Sequence, residues 1–96
     1  VHTLNEITTE LKKNKDKLMS KYPIEAIAIF GSYARNEQNK NSDLDLMVEF
    51  NGKIGIRFID LADEIESLLG FKIDLVSRNG IKPYYFNQIK SDLIYV

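Results

Sequence analysis

Leu4, Ile7, Leu11, Leu18 and Met19 recur at roughly helical intervals with polar residues between them, which predicts an amphipathic helix over residues 3–21. Pro23 ends it. The stretch IEAIAIF (24–30) is short, apolar and bounded by Pro23 and Gly31, as suits a buried strand. Gly31 opens a turn that leads into a short helix through SYARN, and NEQNKNS is a loop by composition. In DLDLMVEF the period changes to two. Asp43, Asp45, Met47 and Glu49 share one strand face, while Leu44, Leu46, Val48 and Phe50 share the other, a core face.

NGKIG reads as a turn, after which Ile56, Ile59, Leu61, Ala62, Ile65, Leu68 and Leu69 fit a second amphipathic helix closed by Gly70. FKIDLVS resumes strand alternation, with Ile73 and Leu75 on one side and Asp74 on the other. Pro83 suits the first turn of a third helix carrying Tyr85, Phe86 and Ile89, and LIYV ends the chain as an edge strand. The expected fold is α/β (α+β), a small mixed sheet of three to four strands flanked by helices. No repeat, linker or low-complexity segment interrupts it, and 96 residues make a single domain over 1–96 the default.

Apolar residues at 44% and charged residues at 28% fit a globular chain rather than a disordered one. With no cysteine and His2 as the one histidine, disulfides, thiolate or His-rich metal sites and Ser-His or Cys-His catalysis are excluded. A net charge of -1 argues against direct nucleic-acid binding. The basic run KKNKDK (12–17) reads as the solvated face of the first helix. No apolar run is long enough to span a membrane and no basic-then-apolar leader is present, so a cytoplasmic location is the expectation. The chain begins at Val1, which leaves open what precedes it.

The candidate chemistry lies in carboxylates. On a strand the Cα atoms of Asp43 and Asp45 are about 6.5–7 Å apart and their side chains project the same way, whereas a helix would splay them by about 200°. About a dozen residues join Ser32 to Asp43, too few for a parallel crossover, so the first two strands pair antiparallel. The helix between the second and third strands fits a right-handed parallel crossover, which brings Asp74 to the same edge and face. Three like charges there call for a divalent cation, with magnesium the expected ion. Gly31 lets backbone approach a phosphate, and Ser32 adds a hydroxyl donor at a helix N-terminus. Together these describe a nucleoside triphosphate site without a Walker or Rossmann motif. Strand-edge solubility and turn formation are the alternative for the aspartates, and the whole constellation favours metal.

Other residues are read more plainly. Arg35 either clamps a phosphate or pairs with Glu37 or another surface acid. Glu49 shares the aspartate face but lies about 13 Å further along and reads as solvated. Tyr84, Tyr85 and Phe86 suit helix packing, or a subunit or partner interface, more than base stacking.

GSYARNEQNKNSDLDL follows the pattern G-S-x(10)-D-x-D, and on it the chain resembles the DNA polymerase β-like nucleotidyltransferase superfamily. With KIDLVS and the short length it is similar to the minimal nucleotidyltransferase (MNT) family in particular, from about residue 24 to the end. That resemblance implies that Asp43 and Asp45 bind two Mg²⁺ ions, that Asp74 completes the catalytic triad and assists deprotonation of the acceptor, and that Gly31 and Ser32 hold the triphosphate. Asn36 departs from the family, where glycine is common, and the loop after it is rich in asparagine.

The resemblance further implies an antitoxin that moves AMP from ATP onto a tyrosine of a helical HEPN ribonuclease. A domain of this size holds little beyond the triphosphate site, so its acceptor must bind at an interface. Two alternatives stay open. One is a binding module that neutralises its partner by occlusion; the other is nucleotidyl transfer to a small molecule such as an aminoglycoside, with a dimer building the acceptor pocket. Nothing in the sequence marks a base-reading pocket or sets the oligomeric state.

Overall fold

The computed structural model describes residues 2–96. Its elements are α1 (Leu4–Lys21), β1 (Ile24–Phe30), β2 (Leu44–Phe50), α2 (Arg57–Leu69), β3 (Ile73–Ser77), α3 (Pro83–Ile89) and β4 (Ile94–Tyr95). Thr3 starts α1 through a capping box. Its hydroxyl accepts from the Glu6 N–H at 3.1 Å, and its own N–H donates to the Glu6 carboxylate at 2.9 Å. Extended backbone at Tyr22, directly before Pro23, stops the helix. Gly70 closes α2 in the left-handed conformation at φ 79°, as its position after Leu69 predicts.

The four strands lie in the order β3-β2-β1-β4. β1 is antiparallel to β2 and β4, and α2 carries the chain from β2 to a parallel β3. The expected mixed sheet with LIYV at its edge is thus present.

On one face Ile7, Leu11 and Leu18 of α1 and Leu61 and Ile65 of α2 pack against Ile27, Ile29, Leu44, Leu46, Val48 and Ile73. This is the core that strand alternation predicts. A second, smaller core lies on the opposite face, where Ala28, Phe30 and Met47 are covered by Phe86 and Ile89 of α3. The aspartate face is therefore dry in its middle, and Met47 is fully buried there. Glu49, expected to be solvated, is half-buried further along this face and accepts a 2.7 Å hydrogen bond from the Tyr95 hydroxyl, because β4 lies beside β1 at that level.

The apolar pattern of α2 overstates its buried stripe. Ile56 and Ile59 are exposed, because they precede and open the helix on the side away from the sheet, and only later does Leu61 turn inward. The basic run of α1 does face outward, except that Lys15 donates to the Val96 carbonyl at 2.8 Å.

Candidate active site

Three strand ends meet at one rim. β1 runs toward it, while β2 and β3 run away from it, and their pairings set Phe30 opposite Asp45 and Asp45 opposite Asp74. Residues in register share a sheet face, so Asp45 and Asp74 project to the same side, the side that α3 covers further along. Asp43 lies just before β2 and is exposed, as is Asp74; Asp45 is half-buried between them.

The row carries negative charge that Arg35 only partly offsets. Burial, and then the charges of Asp74 and Asp43, push the Asp45 carboxyl up from 3.8 to about 6 against a weaker opposing pull from Arg35. Yet the side chains do not converge as the sequence leads one to expect. Among the described residues no three carboxylates stand close enough to enclose one ion. Asp43 instead lines a cleft of about 240 Å³ with Tyr33, Ser42, Phe71 and Lys72.

Gly31 supplies the close approach. Its φ is 76°, and a β-carbon built on it would overlap the Asp45 carboxylate. The following segment is one turn rather than the expected short helix through SYARN. The Arg35 N–H donates to the Gly31 carbonyl at 3.1 Å, and then the chain reverses. Asn36 takes the left-handed conformation at φ 58°, its N–H bonds the Tyr33 carbonyl at 3.2 Å, and the Glu37 N–H bonds the Ser32 carbonyl at 2.8 Å. That pair of bonds is a Schellman closure, which normally ends a helix on glycine. Asparagine tolerates the conformation better than other side-chain-bearing residues, so the departure at Asn36 keeps the turn. Ser32 consequently stands in a turn and caps no helix.

Arg35 is held by acids on two sides. Its Nε donates to Glu37 at 3.0 Å, and its Nη1 to Asp92 at 2.6 Å. Glu37 is exposed, but the Asp92 side chain is largely buried, at 19% exposure, which makes it the firmer anchor. Asp92 lies between α3 and β4, and nothing in its sequence context marks it.

Tyr85 is a second residue that sequence reasoning placed elsewhere. Its ring stands edge-on to Phe30, with centroids 6.4 Å apart, at the head of the Asp45–Asp74 row. Burial, then Asp45 and Asp74, push its phenol up. Phe86 does pack inward, with the Arg78 guanidinium 3.6 Å over its ring, and Tyr84 is exposed.

The nucleotidyltransferase domain family matches residues 11–96 of the chain. A Methanocaldococcus jannaschii chain provisionally named protein adenylyltransferase is 49% identical over 96 residues, covering 98% of each chain. The protein adenylyltransferase MntA of Thermococcus cleftensis is 34% identical over 95 residues, covering 98% of this chain and 96% of that one. Among solved structures, one provisionally named a minimal nucleotidyltransferase superposes with a TM-score of 0.75 at 30% identity, over 97% of this chain and 95% of that one. A toxin–antitoxin crystallised with AMP-PNP gives a TM-score of 0.70 at 25% identity, over 98% of this chain and 72% of that one.

Proposed function

Because the chain belongs to the nucleotidyltransferase domain family, we propose that it moves AMP from ATP onto a hydroxyl of a partner protein, as the antitoxin of an MNT/HEPN pair. The observation that carries this reading is the row Phe30–Asp45–Asp74 with Gly31 packed against the Asp45 carboxylate. The names of the adenylyltransferase relatives and of the AMP-PNP-bound toxin–antitoxin structure support the donor and the kind of partner.

The donor set fits a hard divalent cation. It consists of carboxylate oxygens, and Asp45 is pushed up first by burial and then by the charges of Asp74 and Asp43, a penalty that a bound cation would relieve. Asp43, Asp45 and Asp74 would hold Mg²⁺, two ions on the family's pattern, which when bound neutralise phosphate charge and make an acceptor hydroxyl easier to ionise. The chain's own groups do the rest. Gly31 and Ser32 cradle the triphosphate where the backbone turns away from β1. Arg35, oriented by Asp92 and Glu37, faces a phosphate with the part of its guanidinium that those acids leave free. Asp74, exposed at the rim, takes the proton of the incoming hydroxyl.

The test is incubation with ATP labelled at the α-phosphorus, Mg²⁺ and the protein encoded by the adjoining gene. Label on that protein is the expected result. Binding without label, and protection that survives Asp43→Asn, would establish occlusion instead.

A further inference from the structure

We propose that Tyr85 is an adenylylation site within the chain's own active site, a hydroxyl acceptor that the protein presents to itself. The inference rests on the nucleotidyl-transfer reading above and extends it to a second acceptor.

Four observations meet at this residue. The Tyr85 ring packs edge-on against Phe30, which pairs with Asp45, which in turn pairs with Asp74. α3 lies over the same sheet face that carries both aspartates. The residue keeps 36% of its surface exposed, so it is not sealed under α3. The phenols of Tyr22 and Tyr95 are engaged by Glu64 and Glu49, at 3.0 and 2.7 Å, whereas those of Tyr33, Tyr84 and Tyr85 have no hydrogen-bond partner among the described residues, and Tyr33 is buried. Tyr84, its neighbour on α3, is more exposed but has no ring contact at the rim.

The step balances as an ordinary nucleotidyl transfer. The Tyr85 oxygen bonds to the α-phosphorus of ATP as the bond from that phosphorus to the bridging oxygen breaks. Pyrophosphate leaves with the electron pair, and the phenolic proton passes to the Asp74 carboxylate. The product, an adenylylated tyrosine at the mouth of the site, stands where an external acceptor must enter. Self-modification thus limits further turnover.

The purified chain is incubated with α-labelled ATP and Mg²⁺, alone and with the protein encoded by the adjoining gene, and modified peptides are located by mass spectrometry. The expected result is a single AMP on Tyr85, retained in Tyr84→Phe, lost in Tyr85→Phe and Asp45→Asn, and formed at a rate per chain that dilution does not change. Label on the adjoining protein but none on Tyr85 overturns this inference and leaves the transferase reading standing. Label on neither overturns both. A rate per chain that falls with dilution shows transfer between molecules and overturns the self-presented acceptor.

Discussion

Gly31 and Asp45 occupy the space of one ordinary residue pair: the carboxylate of Asp45 stands where the β-carbon of any other residue at position 31 would be. The same glycine has a φ of 76°, so two independent constraints fall on it. Gly31→Ala is expected to cost about 1–3 kcal/mol of stability from the backbone conformation and the displaced carboxylate. Nucleotide transfer should fall further than stability does. Urea unfolding beside a transfer assay separates the two effects, and an Ala variant with full stability would contradict the packing.

At Asn36 the opposite change should help. Asn36→Gly relieves the left-handed conformation at φ 58° and is expected to gain roughly 0.5 kcal/mol, whereas Asn36→Val should lose about 1 kcal/mol or more. Urea midpoints of the three proteins check the order. The geometry of the turn after Gly31 should be unaffected by the glycine variant, so its transfer rate should match that of the parent.

The fold was largely legible because its signals are local. Strand periods of two placed Asp45 and Asp74 on one face, and Pro83 and Gly70 marked helix ends, whereas Asp43 lies just before β2 and lines a cleft with Tyr33 and Phe71. What stayed hidden depends on backbone signs and distant neighbours. SYARN has acceptable helix formers, and only the left-handed Asn36 turns it into a single closed turn. Met47 looked like part of a polar face because alternation reports one buried side, not a second layer supplied by α3 far along the chain. Asp92 and Tyr85 reach the site only through the packing of that layer, and Ile56 and Ile59 fit a helical stripe without being covered by anything.

Asp45 makes stability depend on pH in a defined direction. Its carboxyl is raised from 3.8 to about 6 in the fold, so between those values the folded chain holds more protons than the unfolded one. Stability from this group is therefore full at low pH and declines as pH rises toward about 6, by on the order of 2 kcal/mol. Asp45→Asn should raise the melting temperature at pH 8 in metal-free buffer and change it little at pH 4. Mg²⁺ should stabilise the parent at pH 8 and do less for the variant. Thermal melts at the two pH values measure both.

The Arg35 tether should act on the donor. Asp92→Ala removes the largely buried partner at 2.6 Å, and is expected to raise KM for ATP several-fold while lowering kcat less. Asp92→Glu should recover part of the loss. Glu37→Ala removes an exposed contact and should matter little, by under about 1 kcal/mol in donor binding. Equal effects of the two substitutions would show that Asp92 has no special hold on the guanidinium.

Cation binding by the aspartate row is the most direct test. Mn²⁺, a spectroscopic stand-in for Mg²⁺, is titrated into the chain in the presence of AMP-PNP, and the free ion is followed by electron paramagnetic resonance. Saturable loss of the free-ion signal beyond that caused by AMP-PNP alone is predicted for the parent, and its abolition by Asp45→Asn. Identical curves for the two proteins would contradict the account.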